Sequence, residues 1–425
     1  MNTLKWERKP LGAIADLCLG KMLDQNKNRG VLFPYLANVN VRWGEFSLDD
    51  LRTMRFEPKE MDRYGLKFGD IVMCEGGEPG RCAIWKNQIP GMMIQKALHR
   101  IRPNKLLDYR FLFYSFLSIG QSKGFDQYFT GSTIKHLPLE KLAKVEIDIP
   151  PIHVQQHIAG ILSAYDELIE NNQRRIRILE DMARSLYREW FIHFRYPGHE
   201  SVPLVDSPLG QIPQGWEVKT LGALMLEQIG GGWGKDVPDE KHTEPAWVIR
   251  GTDIPEARTC QVANVPHRFH SVSNLRSRRL QVGDIIFEVS GGSKGQPVGR
   301  TLLVTPQLLS ALGDDAVICA SFCKRICPDT ADYGSEMLYL SFLEGYESGE
   351  IERFQVQSTG ISNFKWTEYL EKIARVIPPE SVRIRFRDLV KPMLSQAATL
   401  GHQTTNLRRT RDLLLPRLLS GQVEN

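Results

Sequence analysis

Two stretches of the chain place mostly apolar residues at every seventh position. In the first, Ile158, Tyr165, Asn172, Leu179 and Leu186 recur at that period, with Leu162, Ile169, Ile176, Ala183 and Trp190 running beside them. In the second, Phe386, Met393, Leu400, Leu407 and Leu414 do the same. A seven-residue repeat sustained over such lengths predicts two long helices that pair along a supercoiled seam. Polar Asn172 on that seam lowers stability but fixes register. Pro392 lies inside the second pattern and predicts either a kink or the true start of the regular helix. A pair of ordinary amphipathic core helices is the simpler alternative. Over residues 155 to 190 the first helix would be about 54 Å long at ~1.5 Å per residue.

Both helical patterns open alike, as IDIPPIHVQQHIAGIL and RVIPPESVRIRFRDLV. The first proline of each pair stops a strand, and the second suits a first helical turn. The likeness extends further back. WERKPLG returns as WEVKTLG, LKFGDIVM as LQVGDIIF, and FTGSTIKHL as STGISNFKW, with Thr130 matching Thr359. The order is kept and the offset only grows, as expected of a duplication whose second copy carries small insertions. Within each copy, short β-rich runs broken by Gly and Pro precede a short amphipathic helix, RFLFYSFLSI or EMLYLSFLEGY. The predicted fold is therefore mixed α/β (α+β), two similar domains separated by two long antiparallel coiled-coil helices, with a pseudo-two-fold internal repeat. The boundaries are 1–149 for the first domain, 150–195 for the central helix and 196–215 for a Pro- and Gly-rich linker. The second domain is 216–377, and the C-terminal helix 378–425.

Composition narrows the class. A chain of 425 residues, 42% hydrophobic and 24% charged, is expected to be globular and multidomain. It lacks an apolar run of about 18 residues, and MNTLKWERKP lacks a signal-peptide stretch, so the cytoplasm is the expected compartment and no membrane partner is expected. Seven irregularly spaced cysteines suit a reducing compartment. A net charge of +4 decides little about nucleic acid.

Enzyme motifs are weak. IPPI and IPPE lack the amide or carboxylate and the aromatic side chain of an adenine methyltransferase motif, and read as helix starts. GGGWGKD has neither the spacing nor the hydroxyl of a P-loop, and reads as a loop, in a DNA binder a phosphate-contacting one. His153 and His157 stand four apart without the Glu of HExxH or a third ligand. Cys319, Cys323 and Cys327 lack CxxC spacing, so burial among strands is expected and no metal site is assigned. Glu57-Pro58-Lys59 is half of a nuclease motif without its upstream Asp.

The twin PP-x(3)-Q/R helix starts, the LGQIPQGW entry to the second copy, the paired GDI strands and the ending RDLLLPRLLSGQVEN resemble the specificity subunits of type I restriction–modification systems. The resemblance covers essentially the whole chain. It implies two target-recognition domains, each reading half of a split sequence in double-stranded DNA, and helices that set the unread gap and dock two methyltransferase subunits. Restriction subunits complete such a complex. It further implies no catalytic site and no cofactor in this chain: S-adenosylmethionine belongs to the methyltransferase, ATP and Mg to the restriction subunit. A coiled-coil scaffolding adaptor without DNA readout is the alternative.

Base readout calls for Arg, Lys, Asn and Gln, and phosphate contact for cations, hydroxyls and backbone amides. In the first copy the candidates are Lys21, Gln25, Asn26, Lys27, Asn28 and Arg29, then Asn38, Asn40, Arg42 and Trp43, then Thr130, Ser132, Thr133 and Lys135. In the second they are Lys235, Arg250, Thr252, Asp253, Ser293, Lys294, Thr359, Ser362, Asn363 and Lys365. The loops differ between copies while the helix starts agree, which predicts two different half-sites. Arg174, Arg175, Arg177, Arg184 and Arg188, with Arg408, Arg409 and Arg411, either face DNA across the gap, pair with acidic partners, or are solvated.

Overall fold

The computed structural model describes residues 6–22, 24, 28–291, 297–331, 333–358 and 361–420. The chain divides into two compact units, one of Met1–Glu167 with Arg408–Asn425, the other of Leu168–Leu407.

In the first unit, strand Glu7–Pro10 pairs antiparallel with Glu146–Ile149, which ends at the first Pro-Pro pair. A four-stranded sheet follows in the order Ala15–Leu19, Leu98–Pro103, Ile71–Cys74, Cys82–Ile84. A three-stranded sheet has Val31–Leu36 between antiparallel Arg52–Phe56 and parallel Met93–Ile94. Helix Tyr109–Gln121 starts at Asp108, whose Oδ1 accepts the amides of Arg110 (2.9 Å) and Phe111 (3.2 Å). Its apolar face, with Phe111, Leu112 and Phe116, packs with Ile71, Met73 and Ile101 of the sheet into one core.

The second unit repeats this plan strand for strand. Glu217–Thr220 pairs with Ala374–Ile377, which again ends at Pro-Pro. The four-stranded sheet runs Met225–Gly230, Cys323–Pro328, Ile285–Glu288, Thr301–Leu303. In the three-stranded one, Glu244–Ile249 lies between antiparallel His267–His270 and parallel Ala316–Cys319. Helix Ser335–Glu347 has the same length, 13 residues, as its counterpart. The additions are helices Val272–Arg278 and Pro306–Leu312 and a small sheet of Ser290–Gly291, Ile361–Phe364 and Gln355–Ser358. The linker folds as a hairpin, Leu204–Ser207 against Gly210–Pro213.

The helix-start motif has a local purpose. In the first unit, buried Gln155 donates to the carbonyls of Pro150 (2.8 Å) and Leu106 (3.0 Å) and accepts the Asp108 amide at 2.9 Å. Arg383 takes the corresponding place in the second unit and donates to the Ala331 carbonyl. Each residue ties the start of a long helix to the loop that launches the 13-residue helix.

The long helices span Ile152–Tyr187, with a π turn through Ile192, and Glu380–Leu419. Within the second unit they run antiparallel. Ile176 clusters with Ala397 and Leu400, while the rings of Trp190 and Phe191 lie 5.6 and 4.6 Å from that of Phe386. Within the first unit, Ile158 and Leu162 share a core with Leu415 and Leu418. Both expected heptad lines of the first helix are used, unequally. Leu162, Ile169, Ile176, Ala183 and Trp190 are all buried, as are Ile158 and Asn172, whereas Tyr165, Leu179 and Leu186 are half-buried. In the second helix Phe386 and Leu400 are buried and Met393, Leu407 and Leu414 half-buried. On a further line at the same period, Val390, Ala397, Thr404 and Leu418 are buried and Arg411 is half-buried. Two adjacent lines bury together because 3.6 residues per turn gives a contact stripe wider than one column. Pro392 sits inside the helix and does not mark its start.

Candidate DNA interface

The GDI motif shapes both domains alike. Gly69 and Gly283 turn the chain with φ of 86° and 92°, a region that favours glycine. Buried Asp70 accepts the Lys67 amide at 2.7 Å and binds Arg102 through both oxygens, each at 2.7 Å. Buried Asp284 accepts the Gln281 amide at 2.7 Å and the Arg325 Nε at 2.7 Å. The hydrogen bonds that Arg102 donates to Asp70 hold its guanidinium above its ordinary pKa. These aspartates build the frame on which the loops are mounted.

Several predicted contacts belong to that frame too. Lys21 is 4% exposed, and its Nζ donates to Glu60 Oε2 at 2.6 Å and to the Arg55 carbonyl at 2.9 Å. Its charge is neutralised inside the domain, so Lys21 is corrected from a DNA contact to a fold residue. Asn40 is buried. Its Oδ1 accepts the Ala37 amide at 2.9 Å and its Nδ2 donates to the carbonyls of Ser47 (3.1 Å) and Asp50 (3.4 Å). Asp253 holds the same place in the second copy. It too is buried, its Oδ2 accepts the Arg250 amide at 2.9 Å, and its carboxylate takes both the Nε (2.9 Å) and NH2 (2.7 Å) of Arg250. Asn40 and Asp253 each close a 3-10 turn after the middle strand of the three-stranded sheet, and are corrected likewise. Arg250 also donates to the Asn264 carbonyl at 2.9 Å, and Asn28 accepts the Arg55 amide at 2.8 Å.

The other described candidates of the first copy remain near the surface. Half-buried Asn38 donates weakly to the Gly76 carbonyl, while Arg29 and Arg42 are exposed and Arg42 donates to its own loop carbonyls. Thr130, Ser132, Thr133 and Lys135 are exposed on a tip closed by reciprocal bonds between Thr130 and His136 of 2.8 and 2.9 Å. The structure brings two predicted segments together here: Trp43, Glu78, Arg81, Ser132, Thr133 and Lys135 line one surface cleft. Arg81 was not foreseen. It donates to Glu78 at 2.6 Å and to the Asn38 carbonyl at 3.0 Å, and its place beside a GDI strand end was the available signal.

In the second copy Lys235 and Thr252 are exposed. Asn363 accepts the Ser290 hydroxyl at 2.8 Å, Ser362 is half-buried, and exposed Lys365 pairs with Glu368 at 3.2 Å. Gln25, Asn26, Lys27, Ser293, Lys294 and Thr359 lie outside the described residues. Trp233, which no pattern in the sequence marks, stands exposed with the Arg268 guanidinium 4.3 Å from its ring centre.

Some helix arginines bind acidic groups. Arg188 reaches Glu344 at 2.6 Å and Glu347 at 2.5 Å, and Arg184 reaches Glu347, so both tie the first long helix to the 13-residue helix of the second unit. Arg411 reaches Asp166 at 2.5 Å, and the other Asp166 oxygen accepts the Tyr114 hydroxyl at 2.6 Å. Arg174, Arg175, Arg177 and Arg409 are exposed. Cys319 and Cys323 are buried among strands, and burial pushes the Cys319 thiol up to about 12. His153 and His157 are exposed.

The architecture is thus a duplicated α/β domain bearing unlike polar loops, joined to long helices. Residues 4–181 match the type I restriction modification DNA specificity domain. The MjaIX specificity subunit of Methanocaldococcus jannaschii is 26% identical over 84% of this chain and 78% of its own length. The HindI specificity subunit of Haemophilus influenzae is 20% identical over 98% and 99%. The crystal structure of a type I system S subunit from M. genitalium shares the fold, with a TM-score of 0.57 and 15% identity over 98% of this chain and 97% of that one. Over most of its length the chain is similar to specificity subunits of type I restriction–modification systems, and the family's DNA specificity domain is matched over residues 4–181.

Proposed function

We propose that the chain reads a split, asymmetric target in double-stranded DNA, one half with each domain, and directs methylation of adenine by two docked methyltransferase subunits. The observation that carries this reading is one strand order occurring twice with dissimilar exposed loops. A common frame fixes how a loop is presented, and unlike loops require unlike half-sites. The exposed candidates Arg29, Arg42, Thr130, Ser132, Thr133 and Lys135 would serve the first half-site, and Lys235, Thr252, Asn363 and Lys365 the second. The paired helices would set the unread gap and offer the surface that the methyltransferases hold. Recognition is this chain's part of the reaction. S-adenosylmethionine is a requirement of the methyltransferase, and ATP and Mg of the restriction subunits.

Equilibrium binding of the chain with its methyltransferase to split-site duplexes tests the reading. Changing either half-site alone is expected to weaken binding, by about 1–3 kcal/mol per altered base pair. Equal affinity for all sequences would leave only a scaffolding role. Lengthening the first helix by one heptad, roughly 10 Å, is expected to alter the preferred gap and leave both half-site sequences unchanged.

A further inference from the structure

We propose that Trp233 is an apolar wedge that inserts at a base step of the second half-site, and that Met22 holds the same place for the first. The inference rests on the split-target reading and assigns it particular side chains.

The two positions are structural equivalents. Gly20 follows the first strand of one four-stranded sheet, and its amide donates to the Leu98 carbonyl at 2.9 Å, the next amide to that of Ile94 at 3.0 Å. Gly231 follows the matching strand, and its amide donates to the Cys323 carbonyl at 3.0 Å, the next to that of Cys319 at 2.9 Å. A Cβ on Gly20 would lie 2.4 Å from the Gln95 oxygen, and one on Gly231 2.1 Å from the Cys319 oxygen. Both glycines therefore pin the backbone hard against the neighbouring sheet. Two residues beyond each, Met22 is 57% and Trp233 42% exposed.

Trp233 is exposed yet immobilised. Arg268, itself 8% exposed, stacks 4.3 Å from the ring centre and donates its Nε to the Trp233 carbonyl at 2.6 Å. Beyond the ring, Gly234 has φ of 67°, and Lys235 exchanges two backbone bonds of 2.9 Å with Phe269. A side chain held in this way loses little rotamer entropy on binding. Single exposed apolar residues are ordinary, but this one is clamped, and its counterpart in the other copy is exposed as well.

The difference between the copies identifies the ligand. A protein partner common to both domains would meet the same side chain twice, whereas here the frame is kept and the side chain changes from Met to Trp. A ligand that itself differs between the two sites is the pair of DNA half-sites. Exposed Lys235, two residues on, is suited to an adjacent phosphate. Apolar side chains that part base steps are an established way for proteins to grip and kink a duplex.

The test uses the full chain with its methyltransferase, on a duplex carrying the sequence that the complex methylates. 2-Aminopurine is placed at each purine of the two half-sites in turn. Binding of the wild type is expected to raise fluorescence at one step of the second half-site. Trp233→Ala is expected to abolish that rise and to weaken binding by about tenfold or more, with the salt dependence unchanged because no phosphate contact is lost. Trp233→Phe restores most of both, and Met22→Ala acts more weakly on the other half-site. If Trp233→Ala does not fold, Trp233→Leu, which keeps bulk over Arg268, is expected to lose most of the fluorescence rise. Binding by a folded Trp233→Ala within twofold of wild type, or an unchanged rise in that variant, overturns the proposal. A wild type without sequence preference defeats the split-target reading itself, a different failure.

Discussion

In the first recognition domain Asp70 and Arg102 lock the turn into the central strand, and in the second Asp284 and Arg325 do the same. Asn40 and Asp253 close equivalent 3-10 turns, and Gly20 and Gly231 make equivalent close approaches. Beyond these points the domains part company. Among the described residues, only the second has helices Val272–Arg278 and Pro306–Leu312. Its core alone gathers Phe287, Phe342, Phe364, Trp366 and Tyr369 with ring centres about 5–6.5 Å apart. The residues that shape these turns and close approaches recur across the duplication, whereas the loop side chains mounted on them differ. The recurrent residues set a reading geometry, and the variable ones supply its content.

If that division is right, breaking a recurrent residue should cost stability in both domains. The largest effect is expected for Asp284→Ala, which leaves buried Arg325 only the more distant Glu227 carboxylate at 3.8 Å and should cost about 3–5 kcal/mol. Asp70→Ala should cost somewhat less, because the Arg102 side chain is 27% exposed against 10% for Arg325. Urea unfolding measures both, and a loss below about 1 kcal/mol for Asp284→Ala would remove the motif from the frame. Gly231→Ala and Gly20→Ala force a methyl into a neighbouring backbone and should each cost about 1–3 kcal/mol. A penalty confined to one copy would break their equivalence. Thr404→Val should stabilise by roughly 1 kcal/mol, since the buried Thr404 hydroxyl finds no hydrogen-bond partner among the described residues.

The smallest effect concerns pH. His99 and His270 are fully buried, one in each domain, and burial lowers both below the ordinary value near 6.5. Below 6.5 the unfolded chain takes up these protons before the folded one, so stability should fall as pH drops from about 7 to 5. Replacing both with Gln should flatten that slope in denaturation curves, and an unaltered slope would assign it to other groups.

The parts of this molecule legible in its sequence are periodic or repeated. Heptads announce the long helices because burial recurs once per two turns, and the duplicated Pro-Pro starts announce the domains because the same stop and launch are needed twice. Loop chemistry was legible only by residue type. Lys21, Asn40 and Asp253 have the composition of DNA contacts, but their polar atoms turn inward to ion pairs and backbone amides, a choice made by distant residues such as Glu60. Arg184, Arg188 and Arg411 were likewise ambiguous until Glu344, Glu347 and Asp166 were seen to meet them. Trp233 was passed over because a lone aromatic in a glycine-rich run carries no pattern, and only the equivalence of Gly20 and Gly231 draws it out.

Two unlike domains on one frame should read two unlike half-sites. Sequencing of the methylated adenines in a host that carries this chain with its methyltransferase tests it most directly. One motif of two short, different sequences separated by a fixed unread gap is expected. A palindrome, an uninterrupted motif, or methylation indifferent to one of the two halves would contradict it.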